Sequence, residues 1–380
     1  MVLPLLALLG AGLVADGSLR LEARGGTTVA GQDPSAGSFS ADLRSALLGP
    51  DGALRLNVAP TAVYSQGSQV FVRGGIEGEL RLGQTSLLRV RQRGGYGAVD
   101  LSPVSGALPA PSADAAPRLP PGSGFALLQE SSTAAEFESA LSQRLRISGS
   151  AAWSVSGGAD AAARAAMPLS RGPQARTALE WAATRLDLLR AQLAALETRY
   201  SNGRSAAVAS LTGEWRSTLS RSAEFSLSGG PAVGRISDEG QPVRTLPYAV
   251  GAADLRAAVG RDMQTSFGVS VEPLGDPLTG ELVERASAHV SAGWEPTGRP
   301  SVTLRLSGSL ALTDGNGGAD SAERGDRFLQ AELSARVPVS RRTALFLGAR
   351  GATLSRPLPG QPARQWVAFV GYSVELPQLR

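Results

Sequence analysis

Apolar and polar residues alternate with a period of two along several long stretches of the chain. In the clearest stretch, residues 301–312, apolar residues and one glycine occupy every second position from Val302 to Leu312. Similar runs occupy residues 207–216, 285–294 and 329–337. Successive side chains of a β-strand point to opposite faces, so each run predicts a strand with one apolar and one polar face.

The length of these runs indicates where such strands lie. Strands of soluble proteins average about 5–6 residues, whereas a tilted strand that crosses a membrane needs about 9–11. After Ala15, no apolar stretch approaches the roughly 20 residues that a transmembrane helix requires. The pattern therefore predicts an all-β protein, a single antiparallel up-and-down transmembrane β-barrel.

The connections between the predicted strands alternate in length. Short ones are predicted at 50–52, 84–85, 143–144, 185–187, 218–222, 261–262, 295–300 and 338–342. Longer ones are predicted at 31–38, 98–132, 157–173, 237–244, 273–280, 313–325 and 355–363, with tight turns near Gly67 and at Asn202-Gly203. Bacterial barrels have short periplasmic turns and longer external loops. Counting the strands gives eighteen, from near Ser18 to near Leu376.

Residues 185–199 fit this pattern least well. Leu186, Leu189, Leu193 and Leu196 have helical spacing among good helix formers. Their position, between an alternating run and the turn signal at Asn202-Gly203, favours a strand. The alternative is a helical plug or lid, which would leave sixteen strands.

The first fifteen residues form a mostly apolar run that ends at Ala15 and is followed by Asp16-Gly17-Ser18. This run predicts a signal peptide over residues 1–15 and a mature barrel over 16–380. A buried first strand or helix is the alternative. No basic residue precedes the run, and Leu13 is large for its position before the expected cleavage site.

Composition narrows the possible functions. The net charge of +4 and the pI near 10.0 come with 37 basic residues that are all arginine. These arginines recur singly instead of clustering, which argues against nucleic-acid binding. The chain has no cysteine and one histidine, His289, so neither a metal site nor a cofactor is predicted.

A further run, Ser154-Val155-Ser156-Gly157-Gly158-Ala159-Asp160-Ala161-Ala162-Ala163-Arg164 to Pro168-Leu169-Ser170-Arg171-Gly172-Pro173, adds to these features. With them, the chain resembles uncharacterised porin-like outer-membrane β-barrel proteins of Gram-negative bacteria with GC-rich genomes. The resemblance implies a fold and an outer-membrane location, and no cargo. Such barrels commonly end on an aromatic residue, whereas this chain ends Pro377-Gln378-Leu379-Arg380, so the barrel-assembly machinery would need an internal signal.

Polar faces of the strands would line the lumen, where facing arginines and glutamates can set ion preference. The candidate pore-lining residues are Arg89, Arg91, Arg93, Glu136, Glu138, Arg176, Glu180, Glu214, Arg216, His289, Arg305, Glu332 and Arg336. The alternative is that these charges pair with one another and fill a closed barrel. Eighteen strands enclose more volume than side chains fill, which favours a conducting pore.

Two other groups of residues bear on the membrane. Predicted interfacial aromatics are Trp215, Trp294, Trp366 and Tyr372. The Pro/Gly/Ala-rich segment 98–132 is predicted to be a solvated external loop or, alternatively, a constriction folded into the barrel.

These features lead to three hypotheses. The first is a passive porin-like channel for small solutes, and the second is a closed or plugged barrel that acts as an envelope scaffold or surface-interaction protein. The third is a hydrolase built on His289 and Ser291, which are spaced as in outer-membrane phospholipase A. No asparagine follows Ser291 and the pair is predicted to face the lumen, so no catalytic residue is predicted. The expected partners are outer-membrane lipid, lipopolysaccharide and the barrel-assembly machinery, and the oligomeric state stays open.

Overall fold

The computed structural model describes residues 12–27, 36–64, 68–100, 125–238, 241–275, 282–312, 327–354 and 363–379. Within this part of the chain, eighteen β-strands form one sheet in which every strand is antiparallel to its neighbours along the chain. The last strand also pairs with the first, with Leu21 opposite Tyr372. The sheet is therefore closed into a barrel, which leaves no free sheet edge.

The strands are long and regular. Their bounds are β1 Gly12–Thr27, β2 Ala36–Leu48, β3 Gly52–Tyr64, β4 Ser68–Leu82, β5 Ser86–Asp100, β6 Phe125–Ala140, β7 Leu145–Gly158, β8 Ser170–Ala182, β9 Asp187–Tyr200, β10 Ser205–Ser220, β11 Ala223–Ser237, β12 Arg244–Val259, β13 Met263–Gly275, β14 Leu282–Trp294, β15 Ser301–Ala311, β16 Arg327–Pro338, β17 Thr343–Leu354 and β18 Arg364–Leu379. A single short helix, α1 Ala161–Ala166, lies between β7 and β8 in the described chain. Among the described residues, no helix is long and apolar enough to cross a membrane.

The two ends of the barrel differ in their connections. At the end that also holds the start of β1 and the finish of β18, the connections have two to six residues. We call this the turn end. At the opposite end, the loop end, they range from three residues to the twenty-four between β5 and β6. The predicted alternation of short and long connections, and the count of eighteen, are confirmed.

Several predicted boundaries were wrong because the strands extend past the alternating runs. The predicted loop 98–132 is strand over residues 98–100 and 125–132, and its remainder, including its prolines, lies outside the described residues. The predicted turn near Gly67 also lies outside the described residues. Beyond the bilayer, both faces of a strand meet water or protein, so the backbone hydrogen bonds continue where the apolar alternation stops.

The first predicted boundary, the end of the signal peptide, stays a prediction. Strand β1 begins at Gly12, and residues 12–15 pair with the end of β2. Residues 1–11 lie outside the described residues. Cleavage after Ala15 would shorten β1 by four residues and leave the rest of its pairing with β2 and β18 in place.

The leucine-rich segment 185–199 is a strand, as favoured by its context. It forms most of β9 and pairs with β8 and β10, with Leu193 opposite Leu211. Leu189 and Leu193 are exposed, whereas Arg190 and Gln192 are half-buried on the other face. The backbone hydrogen bonds of β9 to its two neighbouring strands thus override the helix propensity of this segment.

One face of the barrel carries the exposed apolar side chains. Leu211, Leu227, Val290 and Leu333 are each 40–54% exposed, although they are large and apolar. In a closed barrel, this face is the outside, and such a surface is stable only against lipid. Trp215, Trp294, Trp366 and Tyr372 all share the parity of this outer face, and the structure is that of a membrane-spanning barrel.

Candidate functional site

The opposite face of each strand forms the inner wall of the barrel, and it carries most of the charge. All thirteen predicted pore-lining residues lie on this face, because each has the strand parity opposite to the exposed apolar side chains. The structure brings seven of them together in two clusters, on β3–β6 and on β8–β11, and leaves Arg93, Arg176 and Arg305 apart. Glu332, Arg336 and His289, on β16 and β14, belong to smaller groups.

The cluster on β3–β6 alternates charges across neighbouring strands. Glu77 and Glu79 on β4 stand opposite Arg91 and Arg89 on β5. Arg91 contacts both Glu77, with Nε 3.5 Å from Oε2, and Glu136 on β6. Arg89 Nε lies 3.3 Å from Glu79 Oε2. Directly opposite pairs of opposite charge stabilise a sheet, so this part of the wall is a neutralised lattice.

Two more residues outside the predicted set, Arg55 and Arg146, extend this lattice. Arg55 on β3 donates to Glu77 Oε1 at 3.1 Å and to Glu79 Oε2 at 3.3 Å. The predicted Glu138 contacts Arg146 at 4.0 Å where the wall approaches the turn end.

The second cluster is a chain of ion pairs on β8–β11. Arg190 lies between Glu180, at 3.5 Å, and Glu214, at 3.8 Å. Arg216 continues the chain, 3.0 Å from Glu214 and 3.3 Å from Glu224. Arg190 is half-buried and was not among the predicted residues.

A third group of charges joins β1, β16 and β17 near the junction of the first and last strands. Arg350 Nε donates to Glu332 Oε2 at 2.9 Å, and its Nη1 lies 4.0 Å from Glu22 Oε1. Its guanidinium also lies over the ring of Phe369, 4.5 Å from the centroid. The Arg350 side chain is only 11% exposed, whereas Arg336 and its partner Glu375 are both 57% exposed.

His289 lies in a polar pocket of the wall on β14. Its Nε2 is 3.8 Å from Asp254 Oδ1 on β12, across Gly268 of the strand between them. A Cβ at Gly268 would collide with both side chains, which explains a glycine there. The hydroxyl of Ser291 is 2.7 Å from that of Ser266, and in the described chain no hydrogen bond joins His289 to a serine. The pair that suggested a hydrolase is therefore not arranged as a nucleophile and its base.

Three of the predicted inner-wall arginines stand apart from these networks. Arg93 on β5, Arg176 on β8 and Arg305 on β15 are exposed, and within the described chain they make no ion pair or side-chain hydrogen bond. Strand β15 is seven strands from β8 in the closed order, so these free charges face the lumen from both halves of the wall.

A recess of about 880 Å³ opens into the wall beside the first cluster. Residues from β1 to β7 line it, and they include Asn57, Arg93, Ser132 and Ser154. Its size is in the range of pockets that hold small organic ligands.

Helix α1 packs inside the barrel at the loop end. Ala163 is buried against Phe71, Val99 and Leu128, which belong to the inner face of β4–β6. Asp160 begins the helix by accepting the backbone N–H of Ala163 at 2.7 Å. The lumen is therefore narrower here than the strand count alone would suggest.

The end of the β13–β14 hairpin also narrows the lumen near the loop end, from another side of the wall. Leu282 is fully buried in a cluster with Tyr200, Ala206 and Ile236 on the inner face of β9–β11. A Cβ on Gly275 would lie 2.5 Å from the Tyr200 hydroxyl, so the hairpin approaches β9 closely. Two apolar contacts thus occupy the lumen near its loop end.

The residues that sequence reasoning missed carry the same signal as those it found. Glu22, Arg55, Arg73, Glu77, Glu79, Glu130, Arg190, Asp254 and Arg350 all occupy inner-face positions of their strands. Extending the period-two parity through every strand would have identified them. Helix α1 also has a visible signal, an aspartate before an alanine run.

No group of three or more metal-binding side chains occurs in the described part of the chain.

The fold matches solved structures of outer-membrane proteins. Over 97% of this chain and 99% of that protein, the structure is similar to the outer membrane protein OpdK from Pseudomonas aeruginosa, with a TM-score of 0.54 and 11% identity. OccAB4 of Acinetobacter baumannii gives a TM-score of 0.51 and 12% identity over 96% and 98% of the two chains. The copper transporter OprC gives 0.54 and 10% over 94% of this chain and 66% of that one. At these identities, the likeness is one of fold, the porin-like barrel of the bacterial outer membrane.

Sequence comparison adds a family. No curated protein matches the chain. The model of the EpsX exopolysaccharide export family matches residues 72–378, which include every strand from β5 to β17 and most of β4 and β18. The match spans well over half of the chain, and the protein belongs to the EpsX exopolysaccharide export family.

Proposed function

We propose that the barrel is a passive outer-membrane channel through which an exopolysaccharide chain leaves the cell. The observation that carries this proposal is the polar inner wall of an eighteen-stranded closed barrel. Barrels of 16–18 strands enclose more space than their side chains fill and leave an aqueous path. The family supplies the class of cargo, since its description is exopolysaccharide export.

The charge arrangement suits a hydroxyl-rich polymer. Most wall charges are neutralised in pairs such as Arg89 with Glu79 and Arg190 with Glu180. Paired groups still present hydrogen-bond donors and acceptors, while their combined field in the lumen is small. Conduction requires contacts that are many and individually weak, and such a wall provides them.

A plugged barrel that acts as an envelope scaffold is the second candidate. It is favoured by the apolar contacts of α1 and of Leu282, which occupy the lumen near the loop end. Under the export proposal, these two contacts form a constriction that moves aside for the polymer. A hydrolase has no comparable support, and the structures similar in fold are described as an outer membrane protein and a copper transporter.

Permeability of liposomes that contain the folded barrel tests the proposal. We expect release of entrapped fluorescent linear oligosaccharides, because the lumen is polar and the constriction formed by α1 and Leu282 moves aside under the proposal. Ser150→Trp should reduce this release, because Ser150 faces the lumen near mid-strand. Ala151→Trp, a substitution of the neighbouring residue on the outer face, should leave it unchanged.

The opposite result would be impermeable liposomes that contain heat-modifiable, folded barrels. Together with cleavage of 98–132 by external protease on intact cells, that result would favour the scaffold.

A further inference from the structure

Arg93 lies in a row of inner-face residues that stand directly opposite one another across strands β3 to β7. Its direct cross-strand neighbours are Gly75 on β4 and Ser132 on β6. The row continues to Asn57 beyond Gly75 and to Ser154 beyond Ser132. No acidic residue occurs among these four neighbours, so the row offers one cation among small and hydrogen-bonding side chains.

The rows on either side are different. Towards the loop end, Arg73 Nε lies 2.6 Å from Glu130 Oε1. Towards the turn end, Arg91 contacts both Glu77 and Glu136. Each of these arginines has its own carboxylate, and each carboxylate is engaged. Arg93 lies between two satisfied rows and is itself left without a partner in the described chain.

The space around Arg93 is accessible. Its side chain is exposed, and with Asn57, Ser132 and Ser154 it lines the recess of about 880 Å³. The other charged residues of the lining balance in number, and they are Arg44, Arg55, Arg73, Arg91, Asp16, Asp42, Glu77 and Glu130. The stem of Arg93 runs beside Gly75, where a Cβ would lie 3.2 Å from Arg93 Cγ and 2.9 Å from Asn57 Oδ1. Glycine at this position keeps the floor of the recess open.

We propose that this recess is a binding site for an acidic sugar unit, whose carboxylate is held by Arg93. A planar guanidinium binds a carboxylate through two parallel hydrogen bonds. The serine hydroxyls and the Asn57 amide suit the hydroxyl groups of the same sugar and of its neighbours in the chain. The proposal rests on the export function above and narrows it, because it makes the cargo an anionic polysaccharide.

Calorimetric titration of the folded, detergent-solubilised barrel tests this site. The probes are α-1,4-linked trigalacturonate, its carboxyl-reduced counterpart galactotriose, and galacturonate monomer. We expect trigalacturonate to bind at least about tenfold more tightly than galactotriose, a ratio equivalent to about 1.4 kcal/mol. The monomer should bind more weakly than the trimer, because the recess accommodates more than one unit.

Substitution identifies the anchor. Arg93→Gln should remove the preference for trigalacturonate and leave the weak binding of galactotriose, whereas Arg93→Lys should retain part of the preference. Arg235→Gln is the matched control, since Arg235 is an exposed arginine of β11 on the outer face. Its binding should equal that of the wild type, and heat-modifiable mobility would establish that all variants fold.

Several results would overturn the site. Equal binding of the two trisaccharides, or an unchanged preference in Arg93→Gln, would remove it while the export function stands. Equal affinity for monomer and trimer would identify a site for small free acids instead of a polymer. Failure of the export function itself would be seen separately, as liposomes that release neither charged nor neutral oligosaccharides.

Discussion

Arg350→Met is expected to lower the free energy of unfolding of the barrel by about 3 kcal/mol, the lower part of the range for breaking a buried ion pair. Arg350 lies between Glu332 and Glu22 and stacks over Phe369. Its loss removes the arginine that lies between the poorly exposed carboxylates of Glu22 and Glu332, near the junction where β1 pairs with β18. Arg20 can still compensate Glu22, since the two groups are 2.8 Å apart. Urea titration in lipid vesicles, followed by tryptophan fluorescence, measures the effect.

The matched control is Arg336→Met, which removes the same charge from the same wall. Arg336 and Glu375 are 3.2 Å apart and well exposed, so this change should cost less than about 1 kcal/mol. Adding Glu332→Gln to Arg350→Met should restore part of the lost stability, because it removes one uncompensated carboxylate. Equal losses in the two single variants would contradict the assignment of Arg350 as a link across the barrel junction.

Leu282→Asp is expected to release the β13–β14 hairpin from the inner wall and increase the single-channel conductance. Leu282 is fully buried against Tyr200, Ile236 and Ala206. Losing this burial removes about 2–3 kcal/mol of stabilisation from the attached hairpin. A carboxylate buried in the same apolar cluster is unfavourable as well. That energy shifts the ratio of detached to attached hairpin by roughly 30- to 150-fold. Planar-bilayer recording of the purified barrel measures the change.

Leu312→Asp serves as the comparison, since Leu312 is near the same end of the barrel but 38% exposed and outside the cluster. Its conductance should match the wild type. A conductance that is unchanged in Leu282→Asp would show that the hairpin does not limit the pore, and the constriction would then have to be assigned to α1 or elsewhere.

The sequence predicted the architecture because lipid imposes a strict pattern on it. A strand between lipid and a polar lumen must alternate, so runs such as 301–312 could be assigned from residue types alone. The strand ends could not be predicted, because above the bilayer the alternation stops while pairing continues, as at 125–132. Segment 185–199 shows the other limit, since a local preference for helix was outweighed by pairing with two neighbours.

The sequence could predict which face of a strand each residue of the candidate site occupies, but it could not predict which residues pair with one another. Parity placed Arg91, Arg93 and Glu136 on one wall, but it did not indicate that Arg91 is paired and Arg93 is free. That difference depends on which residues stand opposite across three strands, and the register of long strands is set jointly by turns and neighbours. The inward packing of α1 and of Leu282 likewise depends on contacts between residues far apart in the chain.

Site-specific photo-crosslinking in cells that make the polysaccharide tests the export function most directly. Ser132 faces the recess, whereas the adjacent Thr133 is on the outer face and hydrogen-bonds to Gln92. A photoreactive amino acid at position 132 should yield barrel with covalently attached polysaccharide, and the same residue at position 133 should yield none. Absence of polysaccharide at position 132, or equal labelling at both positions, would contradict passage of the polymer through the lumen.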